Sequence, residues 1–214
     1  EVEVNGQRLT ARSIVIATGA RPSVPPIPGL AKTGYLTSDT VWDLREKPRR
    51  LVVLGGGPIG CELSQAFARL GVEVTQIEML PRILFREDED VSELVTKKFL
   101  REGIRVLTGH KVVAVDLYAK DKVVICEQDG KTVKVPCDEI LVAVGRTANI
   151  DALGLEELGI PLGKTVDTNE FLQTRYPNIY AAGDVAGPYQ FTHTAAHQAW
   201  YAAVNALFDP FRKF

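Results

Sequence analysis

The stretch from Leu51 to Gly60, LVVLGGGPIG, constrains this chain more than any other part of it. Leu51 to Leu54 is a short apolar run of the kind buried in a parallel sheet, and Leu63, Phe67 and Leu70 beyond the loop recur at helical spacing. Gly55 to Gly60 reads as the turn between them, with the helix running from about Cys61 to Leu70. Gly55, Gly57 and Gly60 form GxGxxG. In a strand–turn–helix setting the first glycine permits the tight turn. The second lets backbone approach a pyrophosphate with no Cβ in the way, and the third lets helix close on strand. Pro58 and Ile59 complete the loop at the helix N-terminus, where unpaired N–H groups and the helix dipole favour an anion. GxGxxG alone is a weak signal. It gains weight from Glu78, 23 positions after Gly55 and just past the strand Val72 to Ile77. A carboxylate there accepts hydrogen bonds from the adenosine ribose hydroxyls. It also repels a 2′-phosphate, so the predicted ligand is NAD(H), with NADP(H) disfavoured. Arg82 and Arg86 downstream offer an alternative phosphate contact, but read better as solvated charge flanking the next helix.

The rest of the chain supplies the elements such a unit requires. Residues 1–9 read as strand, Asn5-Gly6 turn and strand, and Ser13 to Ala17 as a buried strand. The proline-rich run from Pro22 to Pro28 reads as a stiff connector, and Ser38 or Asp39 as the cap of a short helix through Val41, Trp42 and Leu44. A helix is expected over Val91 to Arg101, with the acidic run Glu87 to Asp90 at its N-terminus, then a strand from Ile104 to Leu107. Val112 to Leu117, Lys122 to Glu127 and Thr132 to Val135 have strand period and read as an antiparallel meander, with turns at Ala119-Lys120-Asp121 and Asp129-Gly130. Glu139 to Val144 and Asn178 to Ala182 are further buried strands, and a last helix runs from Thr192 or Thr194 to about Phe208.

Composition excludes several classes. With 45% hydrophobic residues the chain can bury a sizeable core, and a net charge of −2 offers no nucleic-acid or anionic-membrane surface. No apolar run approaches membrane-spanning length. Cys61, Cys126 and Cys137 are odd in number and widely spaced, which suggests neither a metal clip nor a disulfide scaffold and predicts a cytoplasmic, reducing setting. Cys61 at a helix start invites a lowered thiol pKa, but a small packing residue is the better reading. His193 and His197 share a helix face without a third ligand at sensible spacing, so no metal site is expected. The chain lacks an initiating Met, and both ends read as cuts within a longer protein.

Four blocks in order carry a resemblance. They are ATGARP at 17–22, the glycine loop running on to Glu62, AVGRT at 143–147 and IYAAGD at 179–184. With these the chain resembles the central part of the flavin-dependent pyridine nucleotide–disulfide oxidoreductases, closest to the dihydrolipoamide dehydrogenase and mercuric reductase branch. The resemblance implies an α/β fold of three-layer FAD/NAD(P)-binding, Rossmann-like units, each with a parallel sheet and an antiparallel β-meander. It places a partial FAD domain and linker at 1–48, an inserted NAD(P)-binding domain at 49–149, and the second part of the FAD domain at 150–214. It adds Glu62, Gly145 and Arg146 to the NAD residues, and assigns Thr18, Gly19, Gly183, Asp184 and His193 to FAD, with Asp184 on the ribityl chain. It also implies a full-length homodimer that passes hydride from NADH to flavin. The family's first GxGxxG and its redox-active CxxxxC do not occur in these 214 residues. No catalytic residue is therefore assigned within the fragment, and tight FAD binding by the fragment is not expected. The alternative is a non-catalytic NAD-binding or sensing module.

Overall fold

A computed structural model describes residues 1–119, 121–208 and 210–214, arranged as two compact units. One joins residues 1–21 to 147–214, and the other comprises residues 22–146. In the first, Val2–Val4 (β1) and Gln7–Leu9 (β2) form a hairpin, followed by Ile14–Ile16 (β3). Asn5 and Gly6 both take positive φ, as a two-residue hairpin turn with right-handed strand twist demands. Ala20–Pro22 (β4) then carries the chain out of this unit.

The second unit opens with a single helical turn, Leu30–Thr33 (α1), and a two-residue strand, Leu36–Thr37 (β5). Its frame is Arg50–Leu54 (β6), Pro58–Arg69 (α2), Glu73–Ile77 (β7), Glu89–Arg101 (α3) and Arg105–Leu107 (β8). Three long strands follow, Lys111–Tyr118 (β9), Asp121–Gln128 (β10) and Lys131–Cys137 (β11), and then Glu139–Val142 (β12). Strands β5, β12, β6, β7 and β8 lie in that order in one fully parallel sheet, while β9, β10 and β11 form the antiparallel meander. Alternation along the strands builds the three layers. Val52, Leu54, Ile77 and Ile140 face Val124 and Val135 of the meander. Leu51, Val53, Val74 and Leu141 point the other way, onto Cys61 of α2 and Phe99 of α3. Arg146–Ala148 (β13) leads back to the first unit, where Ile179–Ala181 (β14) pairs parallel with β3 and Thr192–Phe208 (α4) packs against both. The buried residues of α4 are Thr194, Gln198, Ala202 and Asn205, a stripe at helical spacing in which three of four are polar.

Several expectations shift. The glycine-loop helix begins at Pro58, not Cys61, because proline is well suited to the first helical position, where its missing N–H goes unused. The expected helix at 41–44 is one 3-10 turn, Val41–Asp43, with Thr40 at its N-cap and no side-chain cap from Ser38 or Asp39. The Thr40 hydroxyl instead accepts the Thr37 N–H at 2.9 Å. The strand expected to reach Val144 ends at Val142. Strands β4, β5 and β13 were not anticipated; each is three residues or fewer, too short to show a period. In the turn expected at Ala119-Lys120-Asp121, Lys120 lies outside the described residues.

Candidate functional site

In the second unit the glycine loop leaves the carboxyl end of β6. Glu78 follows β7, and Gly145 and Arg146 follow β12, the neighbour of β6 on its other side. Ligand crevices of open α/β sheets form at such strand ends. Gly55 has φ +110°, and a Cβ there would collide with the Ala143 carbonyl; a Cβ at Gly60 would collide with the Gly55 carbonyl. Both glycines are therefore demanded by the fold. Gly57 differs: its φ of −76° suits any residue, and a Cβ there would stand in open space. Gly57 caps α2 without any side-chain cap on the helix, Pro58 is exposed and Ile59 half-buried. The first-turn N–H groups of such an end have no partner within the helix.

Glu78 is tied to the loop itself. Its Oε2 accepts the Gly56 N–H at 2.6 Å, and its Oε1 accepts the Leu80 N–H at 2.8 Å. Each carboxylate oxygen keeps a further lone pair. The Gly56 carbonyl accepts the Leu84 N–H at 2.7 Å, and the Cys61 thiol donates to it at 3.4 Å. Beneath the loop, fully buried Gln76 donates from Nε2 to the Gly55 carbonyl at 3.0 Å. Arg82 donates to the Glu87 carbonyl at 2.8 Å and lies over the Phe85 ring. Glu62 is exposed on α2, just beyond its first turn. The Gly145 carbonyl accepts the Ser23 N–H at 2.9 Å, while Arg146 reaches Ser38 Oγ at 3.4 Å and Asp39 Oδ1 at 3.7 Å.

The possibility that Cys61 is an activated thiol is not met. Burial pushes it up to about 11, against a hydrogen bond from Gln76 that favours the thiolate. Burial likewise pushes Cys137 up to about 12 and raises Cys126, and all three cysteines are free. We expect the folded protein to resist iodoacetamide at about pH 8, and three thiols to react once it is unfolded in urea. Rapid native alkylation of Cys61 would contradict this assignment.

In the first unit Thr18 and Gly19 follow β3, and Gly183 and Asp184 follow its parallel neighbour β14, so both pairs lie at one end of the same strand pair. Asn149 fastens the former: Thr18 Oγ1 donates to the Asn149 carbonyl at 2.7 Å, and Asn149 Nδ2 donates to the Thr18 carbonyl at 2.9 Å. Gln198 fastens the latter. Its Oε1 accepts the Gly183 N–H and its Nε2 donates to the Gly187 carbonyl, both at 2.7 Å, which pins the ends of the turn that carries half-buried Asp184. His193, in the first turn of α4, is exposed and stacked on Phe191 with ring centroids 5.4 Å apart. Among the described residues no group of three His, Cys, Asp or Glu could hold a metal, and no helix is long and apolar enough to cross a membrane.

The sequence reading missed Gln76, Asn149 and Gln198. The available signal for the two glutamines was polarity out of place: Gln76 interrupts the apolar strand before Ile77, and Gln198 falls on the buried stripe of α4.

A parallel sheet covered by helices on one face and a meander on the other, with a glycine loop and an acidic residue at adjacent strand ends, defines a dinucleotide-binding class of α/β protein. Within that class the chain belongs to the pyridine nucleotide-disulphide oxidoreductase family, whose model matches residues 1–199. It is 41% identical over 208 residues to a mercuric reductase of Staphylococcus aureus, covering 96% of this chain and 38% of that one. It is 39% identical over 213 residues to a dihydrolipoyl dehydrogenase of Acholeplasma laidlawii, covering 97% of this chain and 61% of the relative. The chain thus spans less than two thirds of these relatives. Among solved structures, the HOCl-induced flavoprotein disulfide reductase RclA of Escherichia coli superimposes with a TM-score of 0.84 at 30% identity, over 94% of this chain and 46% of the reductase. LpdA of Mycobacterium tuberculosis gives a TM-score of 0.83 at 30% identity, over 94% of this chain and 44% of LpdA.

Proposed function

We propose that residues 49–149, most of which fall within the compact unit of residues 22–146, form the NAD(H)-binding domain of an FAD-dependent oxidoreductase of the disulfide reductase type, which in the full-length enzyme passes hydride from NADH to flavin. The observation that carries the reading is the contrast among the three motif glycines. Packing accounts for Gly55 and Gly60, whereas Gly57 meets nothing, so the close approach of a pyrophosphate is what its bare backbone serves. The uncapped N-terminus of α2 offers that anion the N–H groups of Gly57, Ile59 and Gly60. Glu78, held by two backbone donors, turns its remaining lone pairs to the ribose diol and repels a 2′-phosphate. Arg82 holds one guanidinium nitrogen on the Glu87 carbonyl. Glu62, Gly145 and Arg146 complete the nucleotide site in this reading.

The flavin, when bound, supplies a hydride acceptor. Thr18, Gly19, Gly183, Asp184 and His193 are the residues of the first unit assigned to hold it. Gln198 fixes the backbone from which Asp184 projects, and the N-terminal end of α4 favours negative charge.

The test is a fluorescence titration of the purified chain with NADH and NADPH. NADH should bind in the micromolar range and more tightly than NADPH, and Glu78→Ala should weaken NADH binding about 10- to 100-fold, as expected for lost hydrogen bonds to a carboxylate. Equal or tighter NADPH binding by the wild type would overturn the role given to Glu78.

A further inference from the structure

We infer that Gln76 is a positioning residue for the dinucleotide loop, and that it sets nucleotide selectivity by fixing, through one peptide unit, the donor that holds Glu78. The inference rests on the NAD(H) reading above. Gln76 sits on β7 and is wholly buried. Its Nε2 donates to the Gly55 carbonyl at 3.0 Å and lies 3.5 Å from Cys61 Sγ. A planar trans peptide points its C=O and N–H in opposite directions. Drawing the Gly55 carbonyl inward to Gln76 therefore turns the Gly56 N–H outward, where it donates to Glu78 Oε2 at 2.6 Å. The next peptide repeats the arrangement. Its carbonyl, on Gly56, is held by the Leu84 N–H at 2.7 Å and the Cys61 thiol at 3.4 Å, so the Gly57 N–H faces away from those anchors. The donor that orients the ribose-binding carboxylate and the donor that faces the open side of Gly57 are both aimed by contacts made below the loop.

A separate observation says why an amide stands here. Gln76 Oε1 accepts no hydrogen bond from any described residue, although the side chain is buried. A buried acceptor without a partner disfavours the folded state, and an apolar side chain of the same shape would avoid that cost. What distinguishes the glutamine from such a side chain is the donor that its other atom supplies to the buried Gly55 carbonyl.

Gln76→Met keeps the length and packing of the side chain and removes the donor. Wild type and variant are compared by NADH and NADPH titration and by thermal melting, using the 214-residue chain. NADH affinity should fall about tenfold while NADPH affinity changes much less, because the loss falls on the Glu78 contact. The melting temperature should fall only modestly, because the variant sheds the unpaired Oε1 but leaves the buried Gly55 carbonyl without its donor. The inference is overturned if both affinities keep their wild-type values, if both fall by the same factor, or if the variant fails to fold. A wild type that binds neither nucleotide overturns the NAD(H) reading and this one with it. A wild type that binds NADH beside an unaltered variant overturns this one alone.

Discussion

Gly55→Val should abolish NADH binding and leave the unit of residues 22–146 without a stable fold. Two costs add. At φ +110° a β-branched residue is in a forbidden region, a strain of about 1–3 kcal/mol even where the surroundings enforce it. The new side chain would also press on the carbonyl of Ala143. That backbone cannot withdraw cheaply, because the Ala143 N–H donates to the Leu54 carbonyl at 2.8 Å and so continues the pairing of β12 with β6 in the middle of the sheet. Overpacking of this kind costs a further 1–3 kcal/mol or so. The sum, about 2–6 kcal/mol, is comparable to the whole stability of many domains. Urea melts followed by circular dichroism should show the transition shifted to much lower urea or lost. Gly57→Ala is the informative contrast. With φ −76° and open space around the added methyl, it should melt like the wild type yet bind NADH more weakly. A Gly57→Ala protein with wild-type NADH affinity would separate the loop from the pyrophosphate.

Much of this unit was legible from local pattern: β6 as an apolar run, α2 by helical recurrence, α3 by the acidic run at its N-terminus, and β9, β10 and β11 by strand period. Strand β5 was not, since Leu36 and Thr37 carry no period and are strand only because the edge of β12 is there to pair with them. The helix start at Pro58 was misjudged for a related reason. The GxGxxG pattern describes the turn and the first helical turn together, and only backbone geometry divides them. In the site, Glu78 could be located from spacing, but not its bonds to Gly56 and Leu80. Local sequence reveals what a residue can donate or accept; which backbone group arrives opposite it depends on segments that meet across the fold. Gln76 and Gln198 escaped notice on that account, although each was visible as a polar residue in an apolar pattern.

The same distinction governs the link between sheet and meander. Asp138→Ala should destabilise the unit by about 2–3 kcal/mol at neutral pH, below the 3–5 kcal/mol seen when a fully buried pair is broken, because its side chain is 32% exposed. Asp138 sits between β11 and β12 and holds the start of β6. Its Oδ2 accepts the N–H groups of Arg49 and Arg50 at 3.0 and 2.8 Å, and its Oδ1 accepts Arg50 Nε and Nη2 at 3.2 and 2.6 Å. Removing the carboxylate would leave the Arg50 guanidinium, only 17% exposed, with Asp121 as its other carboxylate partner among the described residues. The effect has a pH signature. Burial alone would raise the Asp138 pKa, but the hydrogen bonds from Arg50 outweigh it, and the folded value lies below the ordinary 3.8. A depressed carboxylate pKa means that the unfolded chain takes up the proton first as pH falls. The stabilisation is thus complete above about pH 5 and is lost progressively as pH falls through 3.8 towards the lower folded value. Urea melts of wild type and Asp138→Ala should therefore differ most near neutrality and converge in strong acid. A difference that stays constant from neutral to acid pH would mean that the aspartate acts by shape and not by charge.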